Sequence, residues 1–251
     1  QTQAVTYIWQ RVTSLSTTFY GLSLVLYIIW RVTSKKTSSF ATQLPLLFYF
    51  GSVISSVLAM KTKEIAFTLP VVIFFYELLF FKEKLKKRLL YIAPLLITML
   101  IIPVSILETY KLTGDLMGNI SDATRVDTNI SRWDYLLTQF AVIANYIRLI
   151  FFPINQNLDY DFPIYSTLLT PEVFLSFLLL ISIFGFGIYM FLRSRTHNNA
   201  YRVIAFGIFW FFITLSVESS FIPIVDVIFE HRVYLPSTGF FIALTTGIFL
   251  L

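Results

Sequence analysis

Long apolar runs, broken by short basic loops, leave this chain few folds to adopt. A helix needs ~20 apolar residues to cross a bilayer, with a range of about 17–25. Seven stretches meet or approach that length: 15–30, 40–60, 65–81, 89–107, 173–192, 203–217 and a last one that starts at Phe240. The first is expected to continue backwards as helix through Val5. The expectation is an all-α, polytopic transmembrane helical bundle, with 1–251 as a single transmembrane domain of a multi-pass integral membrane protein. Pro45, Pro70, Pro94 and Pro103 fall inside the runs. Each removes a backbone donor, so kinks are expected there. The chain starts at Gln1 and stops at Leu251 inside an apolar run, which predicts a fragment truncated at both ends.

Composition agrees with the runs. Charged residues make up 13% of the chain, against about 25% in a soluble domain. That is too little charge to cover a water-facing surface, and 27 Phe suit lipid-facing helix sides. The net charge of +5 does not point to nucleic acid, because the basic residues sit in short loops between the runs. Cysteine is absent, which excludes disulfides, thiol catalysis and Cys-ligated metals. The two histidines, His197 and His231, argue against a His-based zinc site, and no metal or cofactor is expected.

Charge asymmetry orients the bundle. Loops 31–39, 82–88 and 193–202, together with Glu77, hold 11 basic and 2 acidic residues. The rest of the chain holds 8 basic and 12 acidic residues. The basic side is read as cytoplasmic. Segments 108–134 and 153–172 then both lie outside, so 135–152 between them does not simply cross. With Asn145 and Arg148 in it, this eighth stretch is read as an interfacial or re-entrant helix. The alternative is a true span that inverts everything after it. Asn119-Ile-Ser121 and Asn129-Ile-Ser131 fit the N-glycosylation pattern, a short pattern that carries little weight.

Ionisable groups near a membrane core are functional candidates by default. Four clusters fall on the outer face. Gln10-Arg11 with Ser14 lines the end of the first run, or serves as a snorkelling anchor. Lys63-Glu64 forms a tight turn, in which Glu64 either orients Lys63 or sits as a helix-start carboxylate. Tyr146, Arg148, Pro153, Asn157, Asp159 and Asp161 form a third group, whose two Asp also suit a solvated turn. Glu218, Asp226, Glu230-His231-Arg232 and Tyr234 form the fourth, where Glu230 and Arg232 could instead make a local ion pair. Arg11, Lys63, Arg148, His231 and Arg232 thus share one membrane face. Convergent cations at an interface suit a lipid-linked phosphate, with its tail in the bilayer and its head group gripped at the surface.

Four stretches also resemble a known family. Gln1-Thr-Gln-Ala-Val-Thr-Tyr followed by Gln10-Arg11 resembles the HPxxTEAVxxxxxR stretch of the transmembrane and tetratricopeptide-repeat O-mannosyltransferases and their relatives. Lys63-Glu64-Ile-Ala-Phe-Thr-Leu-Pro70 with Tyr76-Glu77-Leu-Leu is similar to their KExAxxLPxxxxxYDLL. Tyr146-Ile-Arg148 through Pro153 and Leu158-Asp159-Tyr-Asp161 is similar to YLRLLxxPxxLxxDY. Glu230-His231-Arg232-Val-Tyr234-Leu-Pro236-Ser-Thr-Gly239 is similar to ERYLYLPxxG, with His231 where the family more often has Arg or Lys. The matches follow the family's order.

The resemblance implies a C-type glycosyltransferase (GT-C) fold and transfer of a sugar, mannose by default, from a polyprenyl-phosphate donor. It implies an extracytoplasmic acceptor, often a protein Ser or Thr hydroxyl, and a bacterial inner membrane or endoplasmic reticulum location. It places the catalytic carboxylate on a first external loop upstream of Gln1, so the general base is expected outside this chain and the fragment alone is expected to be inactive. The expected partners are membrane lipid, the lipid-phosphate sugar donor and an acceptor protein. Arg148, Arg232 and Lys63, helped by His231, would hold the donor phosphate. Glu64, Asp159, Glu230, Arg11 and Tyr234 would position the sugar or the cations. The competing reading is a transporter or flippase for a lipid-linked or anionic solute.

Overall fold

The computed structural model describes residues 10–36, 43–105, 130–157, 160–194, 199–220, 223–224 and 226–250. Among these residues the regular structure is helical throughout. Five helices are long and apolar enough to cross a membrane: Arg11–Ser34, Leu44–Thr62, Leu85–Ser105, Pro171–Arg193 and Glu230–Leu250. The chain divides into two compact units, Val5–Glu108 and, apart from the first four residues, Thr109–Leu251.

The first unit contains α1 (Arg11–Lys36), α2 (Gln43–Thr62), a 3-10 helix over Glu64–Thr68, α3 (Leu69–Phe80) and α4 (Leu85–Thr98). Small hydroxylated residues draw α1 and α2 together. Ser23 and Ser52 each donate their hydroxyl to the other's carbonyl at 2.8 Å. Both are fully buried, as are Ser56 and Ala59. Small side chains let membrane helix backbones approach closely, and hydroxyls then bridge them. Ser56 also shares a 2.8 Å hydrogen bond with Thr98 of α4.

The third apolar run is not one α-helix. Pro70 stands in the first turn of α3, where no intrahelical donor is needed. It has no N–H to offer the Ala66 carbonyl four residues back, so an α-helical ladder does not run through it unbroken. The chain therefore enters through the 3-10 turn, and the Leu69 N–H bonds to the Ala66 carbonyl. Pro45 likewise sits in the first turn of α2, so neither proline interrupts a helix interior. Pro94 does lie inside α4. Pro103 follows a break at Met99-Leu100, and its ring would clash with the carbonyl four residues earlier, that of Met99.

The second unit contains α5 (Arg132–Phe151), α6 (Pro171–Arg193), α7 (Asn199–Leu215), a 3-10 helix over Glu230–Val233 and α8 (Tyr234–Leu250). The helices pack in chain order, α5 on α6, α6 on α7 and α7 on α8. Ser131 caps α5 by accepting the Asp134 N–H at 3.1 Å, which sets where the helix begins. Val142, Ile143, Leu180, Phe211, Leu215 and Ile228 form the core of this unit. Gly207 and Gly239 bring α7 and α8 into backbone contact: a Cβ on Gly207 would lie 2.3 Å from the Gly239 carbonyl oxygen. Trp210 then donates its indole N–H to the Leu235 carbonyl at 3.0 Å.

Two expectations shift. The last helix starts at Tyr234 rather than Phe240, because Pro236 is tolerated in a first turn although the stretch reads as polar. Residues 31–36 belong to α1 and not to a loop. Helix α5 is 20 residues long but is not among the five span candidates; Arg132, Asp134, Gln139, Asn145 and Arg148 interrupt its apolar character. The segment 5–9 and both glycosylation patterns lie outside the described residues.

Candidate functional site

In the second unit, one face of α5 holds the segment that follows α7. Tyr135, Gln139, Val142 and Tyr146 recur at spacings of four, three and four, and all four are buried. Tyr135 donates its hydroxyl to the Glu218 carbonyl at 3.2 Å. Gln139 donates from Nε2 to the Val227 carbonyl at 3.1 Å. The Tyr146 hydroxyl accepts the Phe229 N–H at 3.0 Å. Three side chains thus satisfy backbone groups of an irregular segment that would otherwise be costly to bury.

That support delivers Glu230-His231-Arg232 into the interior. The three residues retain 5%, 5% and 3% of their accessible surface. Arg232 and Glu230 do not pair with each other among the ion pairs of the described residues. Arg232 instead closes its own turn, donating to the Asp226 carbonyl at 2.8 Å and the Val227 carbonyl at 3.2 Å. Its guanidinium stands 5.5 Å from the Phe229 ring centroid. His231 packs against the same Phe229 ring, with centroids 5.0 Å apart.

Glu230 turns the opposite way, to the loop after α5. Its Oε1 accepts the Tyr160 hydroxyl at 2.5 Å and the Asn157 N–H at 3.1 Å. Its Oε2 accepts Gln156 Nε2 at 2.9 Å. The loop reaches this position through Asn155, whose φ of 56° is left-handed and tolerated by Asn. Burial, followed by the Glu230 bond, raises the Tyr160 pKa above its ordinary value. Arg148 acts on Tyr160 in the opposite sense. Arg148 itself is exposed; it donates from Nε to Asn145 Oδ1 at 2.9 Å and more weakly to the Ile154 carbonyl at 3.4 Å. A cavity of about 170 Å³ opens beside Glu230 and Gln156. Tyr234 is half-buried at the start of α8, Asp161 is exposed, and Asp159 and His197 lie outside the described residues.

Lys63, Glu64 and Arg11 belong to the first unit. Lys63 reaches across to α1, donating to the Thr13 hydroxyl at 3.1 Å, and Thr13 donates in turn to Gln10 Oε1 at 3.2 Å. Glu64 opens the 3-10 turn and is exposed, so it is not in the first turn of the following α-helix. Arg11 is exposed in the first turn of α1.

A second polar cluster in the first unit escaped the reading of the sequence. Arg31 of α1 clasps the fully buried Glu77 of α3 with two bonds, Nε to Oε1 at 2.5 Å and Nη2 to Oε2 at 3.0 Å. The Tyr27 hydroxyl adds a third at 3.0 Å. The guanidinium lies 4.3 Å from the Phe81 ring and 4.6 Å from the Tyr91 ring. A carboxylate inside an apolar run was itself the signal, and Tyr27 and Arg31 stand four apart on one helix face. Gln156, Tyr160 and Gln139 gave no such signal, because each is an ordinary polar residue until its partner is known.

Compared with known proteins, the chain matches no family model, no curated protein and no solved structure.

Proposed function

We propose that this chain is part of a membrane glycosyltransferase of the GT-C type. It would move a sugar, mannose by default, from a polyprenyl-phosphate donor to an extracytoplasmic protein hydroxyl. One observation carries the reading. Two stretches that resemble separate family motifs, around 146–161 and 230–239, meet in one partly buried hydrogen-bond cluster at Glu230. The intervening chain is long, so motif matches arising by chance have no reason to meet.

The roles follow from what each group leaves free. Arg148 is exposed and keeps guanidinium donors beyond its two bonds, so it is the residue for the donor phosphate. As the sugar–phosphate bond breaks, negative charge grows on the leaving phosphate, and a fixed cation there lowers the barrier. Arg232 is a positioning residue, since its bonds to two carbonyls shape the turn that presents Glu230 and His231.

Native mass spectrometry of the purified protein tests the phosphate role. The wild type should retain added undecaprenyl phosphate, and Arg148→Ala should lose it by roughly tenfold or more in affinity, the scale of one charge-assisted bond. Equal retention by Arg148→Ala and Arg232→Ala would remove the basis for this reading.

A further inference from the structure

We infer that the cavity beside Glu230 is a subsite for one neutral, hydroxylated six-membered ring, the sugar itself rather than its phosphate. The assignment deepens the proposed transferase reading, which supplies the word sugar; the chemistry of the walls supplies the rest.

Size comes first. The cavity measures about 170 Å³. An engineered cavity of ~150 Å³ admits a benzene-sized ring, so this one takes a single ring and not two. Lining comes second. Leu149, Ile150, Val233 and Phe241 make apolar walls, and Glu230 and Gln156 make a polar end. A pyranose presents the same division, with C–H faces and a hydroxyl edge. Valence comes third. A carboxylate has about four acceptor positions. Oε1 of Glu230 is used twice and Oε2 once, which leaves Oε2 able to accept a ligand hydroxyl.

Charge decides against other occupants. Among the described residues no cation lies within ion-pair distance of Glu230, so a phosphate would meet an uncompensated carboxylate. Three neutral donors already hold that carboxylate, which leaves little need for a cationic ligand. A purely apolar ring would cover Oε2 without a bond and leave its desolvation uncompensated.

The chain has no cysteine, so Leu149→Cys gives one thiol on the cavity wall of the protein. Its rate of labelling by a small thiol reagent is measured in lipid nanodiscs, with octyl α-D-mannopyranoside, octanol, octyl phosphate and octylammonium as probes. The mannoside should slow labelling and the other three should not. Adding Glu230→Gln should raise the mannoside concentration for half-protection by roughly tenfold, the loss of one charge-assisted bond. Adding Phe241→Ala, which leaves the hydrogen-bond cluster in place, should weaken protection too. The subsite is overturned if the mannoside protects no better than octanol, or if the phosphate or the ammonium protects better. Sugar transfer measured on the full-length protein carrying Leu149→Cys separates the two readings: protection without transfer keeps the subsite and removes the transferase, and transfer without protection does the reverse.

Discussion

Glu230 brings a carboxylate into the second unit and has it met by neutral donors from one loop. Removing the side chain should therefore cost more than removing any one donor. Tyr160→Phe deletes the bond to the Glu230 carboxylate and the one its hydroxyl accepts from the Asn157 N–H, from a half-buried position, and should destabilise by about 1.5 kcal/mol, read as a lowered unfolding midpoint. Glu230→Ala removes three bonds at once and should cost clearly more in the same measurement. The Tyr160 hydroxyl also titrates late, because burial and Glu230 raise its pKa. A raised pKa means stability that is complete below the unfolded value, near ~10, and lost as pH rises through the higher folded value. The difference in tyrosinate absorbance between wild type and Tyr160→Phe should therefore develop above pH ~10; development at the ordinary value would contradict the contact. Arg31 and Glu77 call for a sharper prediction, since the pair is buried and bidentate. Arg31→Ala leaves a buried carboxylate without its cation, held only by the Tyr27 hydroxyl, and should cost about 3–5 kcal/mol, whereas Arg31→Met with Glu77→Leu should recover most of the loss.

At the scale of elements, helix existence was legible from apolar length, and helix ends were not. Every described apolar run is helical, yet α8 begins earlier than hydropathy indicates, and the third run is a 3-10 turn followed by a short α-helix. Hydropathy measures how well a residue suits lipid, whereas a boundary depends on where a proline ring can sit. The four site clusters were legible only as groups of neighbours in sequence. Glu230 and Arg232 are two apart and invited an ion pair, but they face different partners, the loop after α5 and the carbonyls of their own turn. The face of α5 formed by Tyr135, Gln139 and Tyr146 has helical spacing, but spacing alone does not reveal that it binds backbone. The α7–α8 pair gives this scale its prediction. Gly207→Ala puts a methyl group against the Gly239 carbonyl and should force the helices apart, at a cost of about 1–3 kcal/mol. Gly185→Ala meets open space and should be near neutral in the same thermal assay.

At the scale of the molecule, five helices among the described residues suit a bilayer, and the balance of charge gives the proposed orientation. Within the first unit, Lys61 ends α2 and Lys86 begins α4, with α3 between them, and both are exposed. In the cysteine-free chain, Lys61→Cys and Lys86→Cys should react with a membrane-impermeant maleimide from opposite sides; reaction from one side would undo the orientation. The most direct measurement is turnover by the purified full-length protein: labelled sugar leaving a polyprenyl-phosphate donor and appearing on a Ser- or Thr-containing acceptor. The expected result is transfer by the wild type and a fall of roughly 100- to 1,000-fold in Arg148→Ala, which remains folded and inserted. Transfer by Arg148→Ala at the wild-type rate, or a wild type that binds the donor and never releases polyprenyl phosphate, would contradict the assignment.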